Sequence, residues 1–214
     1  MERAALWIIG GPNGAGKTTL ASHPRFRRLL RGVRLLNPDE LALEKLRATG
    51  RRGLHDATAD ELRRCFIEAA ETIERELRAA LAQREAIGVE SVLSTRKYCP
   101  LVEEVAAAGG FFGLIYIALK NPELARERVA RRVAQGGHDV PTEKLAARWS
   151  RSVENLGWFA SRATRFWVVD NSDSTPGITP KLIAIGGAGR IETLDADAIP
   201  EITAGLRAAS PVVR

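Results

Sequence analysis

A chain of 214 residues is long enough to bury one sizeable core, and 45% apolar against 27% charged residues is the usual globular balance. The 32 Lys+Arg against 26 Asp+Glu leave a net charge of +6, which suits an anionic ligand, and the basic residues are dispersed rather than gathered into a nucleic-acid arm. Cys65 and Cys99 form no CxxC pair and argue for neither a disulfide framework nor a zinc site but for buried structural thiols, and no run reaches the roughly 20 apolar residues of a membrane span, so a reducing, cytoplasmic location is expected.

Ala4 to Ile9 is a short apolar run ended by glycine and reads as a buried strand. The N-terminal stretch is too short for a secretory signal. Gly10 to Thr19 is a glycine-rich turn that opens a helix. Val33 to Leu36 is a second apolar run, punctuated by Asn37-Pro38-Asp39, with a helix expected from Asp39 to about Arg47. After a polar loop over Thr49 to His55, Thr58 and Glu61 have capping-box spacing. Behind them Leu62, Phe66, Ala69, Ile73, Leu77 and Leu81 recur at helical spacing, so a long amphipathic helix is expected.

Ala86 to Val92 and Phe111 to Leu119 read as strands, with a helix from about Pro100 to Ala108 between them, stopped by Gly109-Gly110. Asn121-Pro122 is an N-cap followed by proline at the first helical position; that helix runs to Ala134 or Gln135 and breaks at Gly136-Gly137. The next helix carries Leu145, Trp149, Val153 and Leu156 on one face. Arg165 to Val169 is a fifth strand, and Asn171 to Pro180 a polar loop. Lys181 to Ile185 and Arg190 to Leu194 then form a hairpin around Gly186-Gly187-Ala188-Gly189. Strands alternating with helices predict an α/β three-layer sandwich around a mostly parallel five-stranded sheet. One domain over 1–214 is expected, with a helical lid at about 126–148 and a C-terminal hairpin and helix at about 181–210.

Gly11-Pro12-Asn13-Gly14-Ala15-Gly16-Lys17-Thr18 matches GxxxxGK[ST] at every fixed position, between an apolar strand and a helix. The glycines let backbone N–H groups curl into an anion nest, and the helix points its positive end at the phosphates. Lys17 reaches the β- and γ-phosphates, and the Thr18 hydroxyl is placed to ligate Mg²⁺. Gly11, Asn13, Gly14, Ala15, Gly16, Lys17, Thr18 and Thr19 are therefore the expected ATP-binding set.

Sites in open α/β sheets lie beyond the carboxyl ends of the strands, which is where Asp39 and Glu90 fall. A carboxylate at Asp39 is placed to take the proton of an attacking hydroxyl; the competing reading is that it merely caps the next helix. Glu90 ends the third apolar run and is read as a contact to a substrate hydroxyl or a Mg²⁺-bound water, with Thr95 and Arg96 in the adjoining loop. Arg126, Arg128, Arg131 and Arg132 cluster just before Gln135-Gly136-Gly137-His138-Asp139-Val140-Pro141. Arg128, Arg131 and Arg132 are read as one flank of a hinged lid, with Arg132 the arginine over the γ-phosphate, Arg128 a substrate contact and Arg148 a rival. A solvated arginine face is the alternative.

Together these segments resemble the zeta toxin family of P-loop kinases, in its small ATPase or kinase branch. The resemblance spans Leu6 to about Asn171. It is carried by Gly11 to Thr19, Asn37-Pro38-Asp39-Glu40, Glu90-Ser91, Arg132 through Pro141, Arg148 to Leu156, and Asp170-Asn171-Ser172. It implies an ATP- and Mg²⁺-dependent kinase acting on UDP-N-acetylglucosamine or a related UDP-amino sugar, held inactive by an antitoxin protein. It also implies Lys17 as the phosphate-binding lysine, Asp39 as the base, Glu90 as the acid near the sugar and a lid arginine on the γ-phosphate. A metabolic kinase for another small substrate, or a regulatory ATPase that switches a partner, is the alternative on the residues alone.

Overall fold

The structure, a computed structural model, describes residues 3–53, 56–135, 141–175, 178–195 and 197–209. Five strands run parallel: β1 (Ala5–Gly10), β2 (Arg34–Leu36), β3 (Ala86–Ser91), β4 (Phe111–Ala118) and β5 (Arg165–Asp170). The helices between them are α1 (Lys17–Ala21), α2 (Pro24–Leu29), α3 (Pro38–Ala48), α4 (Ala59–Ala82), α5 (Cys99–Ala107), α6 (Pro122–Ala134) and α7 (Thr142–Arg162). Helices connect the parallel strands and pack against the sheet, α1 on β1, α4 on β3, and α5 and α7 on β4 and on each other.

The sheet has seven strands rather than the five expected, in the order β2-β3-β1-β4-β5-β6-β7. The added pair, β6 (Lys181–Gly187) and β7 (Arg190–Leu194), is the hairpin read from the sequence; β6 pairs antiparallel with β5. Phe166, Val168 and Val169 of β5 are buried, and an open edge beside them would leave a template for aggregation, so the hairpin extends the sheet. Gly186 and Gly187 stay in β6, and the turn shrinks to Ala188-Gly189, both with positive φ, as a two-residue hairpin requires.

The local helix signals act as expected. Thr58 and Glu61 form a full capping box on α4, and Asn121 caps α6 with Pro122 at its start. The stripe of α7 is core: Trp149 is buried and donates through Nε1 to Leu119 O (3.0 Å), while Ser152 shares a hydrogen bond with the Tyr116 hydroxyl (3.0 Å). Helix α2 was not anticipated, because its arginines mask Phe26 and Leu30, which sit four apart and both enter the core. The last helix, α8 (Pro200–Ala209), buries Ile202 and Leu206 and packs along α7. Among the described residues no helix is long and apolar enough to cross a membrane.

Candidate active site

The sheet brings β1 and β3 side by side, so that Ile9 is level with Glu90 and the turn after β1 begins where the acid of β3 ends. This turn is the GxxxxGK[ST] segment. Gly11 has φ 142, and a Cβ there would lie 2.3 Å from Ile117 O, so no side chain fits where the loop leaves the sheet. Lys17 folds back over the loop, its Nζ donating to Gly11 O (2.9 Å) and Pro12 O (3.1 Å). Ala15 is fully buried and its carbonyl accepts from Asn171 Nδ2 (2.8 Å), which ties the loop to the end of β5. Asn13 is 8% exposed and lines the cleft, and its Oδ1 has no hydrogen-bond partner among the described residues.

The cleft in front of the loop encloses about 500 Å³, within the range of small-molecule sites. Of the residues expected in the site, Asn13, Gly14, Gly16, Lys17, Thr18, Thr19, Asp39, Glu90, Thr95, Arg128, Arg132 and Arg148 all line it. Gly11 and Ala15 lie behind it and shape the loop through their backbone.

Glu90 is 6% exposed and accepts from the Thr18 hydroxyl at 2.9 Å. Burial raises its pKa above the usual carboxylate range, against the Thr18 hydrogen bond and the Lys17 charge, which lower it. Glu90 is thus a buried acid at the end of β3 rather than a solvated one. The Lys17 ammonium is pushed down to about 8 by burial, opposed by Glu90 and Asp39 and helped by Arg132. These four charged groups therefore act on one another.

Asp39 need not cap α3. That task falls to Asn37, whose Oδ1 accepts from the backbone N–H of Asp39 (3.0 Å) and Glu40 (3.4 Å). The Asp39 carboxylate is exposed in the cleft, in the first turn of α3.

The arginine flank needs correcting. Arg128 and Arg132 face the cleft, but Arg131 is exposed and pairs with Glu127 at 2.8 Å, and Arg126 is exposed as well. On a helix, Arg132 falls only about 40° from Arg128, whereas Arg131 falls about 60° to the other side, enough to turn it to solvent. Arg128 also donates to Asp173 O (3.1 Å) and Ser174 Oγ (3.0 Å), bridging α6 to the segment after β5. Val129 and Val133 pack with Leu145, so α6 and α7 share a small core of their own. The hinge expected at Gly136-Gly137 lies outside the described residues, as do His138, Asp139 and Val140.

Arg96 is absent from the lining, while Thr95 is part of it. Sequence reasoning gave no site role to Asn37, Ser91, Leu93, Ser94, Lys97 and Tyr98, which also line the cleft. Ser91 ends β3 and the run from Val92 to Tyr98 directly follows it, and that adjacency to Glu90 was the available signal. Asn171, read as the start of a polar loop and as part of the Asp170-Asn171-Ser172 segment, braces the phosphate loop.

A five-stranded parallel core ordered β2-β3-β1-β4-β5, with a phosphate loop after β1 and an acid at the end of β3, defines a P-loop kinase-like nucleotide-binding fold. A family model described as an AAA domain matches residues 6–155, and the chain belongs to that family. No curated protein sequence matches it. Among solved structures it is similar to a putative kinase from Chloroflexus aurantiacus J-10-fl, at 22% identity and TM-score 0.55 over 69% of this chain and 78% of that one. It is also similar to the AvrRxo1-ORF1:ORF2 complex with ATP, at 15% identity and TM-score 0.65 over 100% of this chain and 65% of that one. A third is the PezAT chromosomal toxin-antitoxin system of Streptococcus pneumoniae, at 17% identity and TM-score 0.55 over 79% and 69%. This chain spans less than two thirds of the AvrRxo1 chain. At these identities the likeness is one of fold.

Proposed function

We propose that the chain is an ATP-dependent kinase that transfers the γ-phosphate of ATP to a hydroxyl of a small molecule. The observation that carries the reading is that one cleft is lined by the phosphate loop, the exposed Asp39, and Arg128, Arg132 and Arg148 together. The loop amides and Lys17 receive the triphosphate. The acceptor hydroxyl attacks the γ-phosphorus in line; its proton passes to Asp39, a new O–P bond forms, and the bond to the β-phosphate oxygen breaks to release ADP. Lys17 and Arg132, whose charges act on one site, offset the negative charge on the transferred group.

Mg²⁺ fits the residues present. The Thr18 hydroxyl and the desolvated Glu90 carboxylate lie side by side as hard oxygen donors. When bound with the nucleotide, Mg²⁺ would add positive charge against the β- and γ-phosphates. The resemblance to zeta toxins favours a UDP-amino sugar such as UDP-N-acetylglucosamine as acceptor. The likeness to PezAT, a toxin-antitoxin system, and to the two-protein AvrRxo1 complex supports an antitoxin-like protein partner.

The test is a phosphoryl-transfer screen with γ-labelled ATP, Mg²⁺ and a pool of nucleotide sugars, nucleosides and sugars, with Lys17→Ala as the control. A labelled organic product with the wild type and none with Lys17→Ala is the expected result. Label released only as inorganic phosphate from every pool would sink the kinase reading in favour of an ATPase.

A further inference from the structure

The wall facing the phosphate loop is held from behind. Leu93 is 1% exposed and has φ 57, a left-handed conformation that a bulky L-residue rarely adopts. Three hydrogen bonds fix this turn. The Leu93 N–H donates to Ser91 Oγ (3.1 Å), its carbonyl accepts from Asn155 Nδ2 (2.8 Å), and the Ser94 carbonyl accepts from Arg151 Nε (3.1 Å). The Leu93 side chain lies over Gly10, where an added Cβ would come within 2.4 Å of Cδ1, so the turn is also seated on the strand that feeds the phosphate loop. Arg148, Arg151 and Asn155 recur at i, i+3 and i+7 on one face of α7. Arg148 reaches the cleft, whereas Asn155 and Arg151 are not among the residues that line it.

We propose that Asn155, assisted by Arg151, is a positioning residue: by holding the Leu93 turn it fixes Ser94, Thr95 and Tyr98 as the acceptor-binding wall, and so sets acceptor affinity while leaving nucleotide affinity alone. The inference rests on the kinase reading of the cleft. Its distinguishing feature is the split between two substrates bound in one cleft, because a merely structural hydrogen bond would weaken both or neither.

Asn155→Leu removes the donor at similar volume. Arg151→Gln, at an exposed position that leaves the core intact, guards against loss of fold, and Arg151→Lys restores a donor. Amide hydrogen exchange over 92–98 is read first, in nucleotide-free protein. Exchange about tenfold faster in Asn155→Leu is expected for one lost, partly buried hydrogen bond, with a smaller rise in Arg151→Gln that Arg151→Lys reverses. The acceptor found by the screen is then titrated: its KM rises roughly tenfold in Asn155→Leu while the ATP Kd stays within about twofold. Unchanged exchange over 92–98 overturns the proposal whatever the screen returns, and so does an equal loss of ATP and acceptor affinity. If the screen finds no acceptor, the kinase reading fails and the acceptor role of Asn155 fails with it, while faster exchange in Asn155→Leu then marks Asn155 as a brace of the turn alone.

Discussion

The two walls of the cleft are built in opposite ways. The phosphate wall is a single stretch, Gly11 to Thr19, shaped by its own glycines and by the helix it opens. The facing wall is assembled from Asn37 to Asp39, the run from Glu90 to Tyr98, and arginines on α6 and α7. It exists only because β3 lies beside β1 and α7 packs behind the turn at Leu93. The phosphate wall therefore carries a chemistry common to many proteins, and the assembled wall carries whatever is particular to this one. Substitutions on the first should abolish nucleotide use, and substitutions on the second should redirect or slow transfer.

The largest contrast is expected within one helix. Arg132→Ala should lower the transfer rate by roughly 10³–10⁵, the range for an arginine that offsets charge on a transferring phosphate. Arg131→Ala, which removes only an exposed pair with Glu127, should change it less than about twofold. A loss below about twofold in both variants, read in single-turnover assays, would mean that α6 presents only a solvated charged face. On the phosphate wall, Lys17→Ala should cost roughly 10²–10³ in rate. A steady-state assay at saturating ATP reads this directly, and near-wild-type turnover would remove Lys17 from the chemistry.

Gly11→Ala probes the backbone of that wall. A methyl forced against Ile117 O at φ 142 should destabilise the protein by about 1–3 kcal/mol, measured by denaturant unfolding, and should abolish nucleotide binding. Full stability in that variant would mean that the loop leaves the sheet by another route. The smallest expected effect is one of pH. The Lys17 ammonium, lowered from 10.5 to about 8 by burial, is charged below pH 8 and loses its proton above it. ATP affinity should hold steady up to about pH 7.5 and then fall by up to about tenfold per unit. The same group acts on stability with the opposite sign. Between pH 8 and 10.5 the unfolded chain binds the proton and the folded chain does not, so its contribution to stability rises with pH. Both trends should vanish in Lys17→Met, with calorimetric titration and thermal unfolding as the two readouts.

What the sequence disclosed divides along the same line. The phosphate loop, the Thr58–Glu61 capping box and the Asn121-Pro122 helix start are local signals, complete within a few residues, and each stands where it was read. Glu90 and Asp39 were legible as strand-end acids because the α/β pattern alone places strand ends together. Their neighbours were not. That Asn37 rather than Asp39 caps α3 depends on a side-chain competition that composition does not decide. The hydrogen bonds Asn155 makes to Leu93 O and Asn171 to Ala15 O span 62 and 156 positions, and no local pattern encodes either. That the sheet has seven strands rather than five escaped for a related reason: both strands of the hairpin were visible, but the open edge of β5 that they extend was not. The arginine flank failed on angle, since spacings of three and four were treated as one face although they diverge by about 100°.

The most direct measurement is a single-turnover assay that follows the γ-label of ATP in the wild type and in Asp39→Asn with the acceptor present. The expected result is transfer to the organic acceptor in the wild type, slowed by roughly 10²–10⁴ in Asp39→Asn with the ATP Kd unchanged. Equal rates in the two proteins, with the label released only as inorganic phosphate, would contradict a base at Asp39 and a kinase in this cleft.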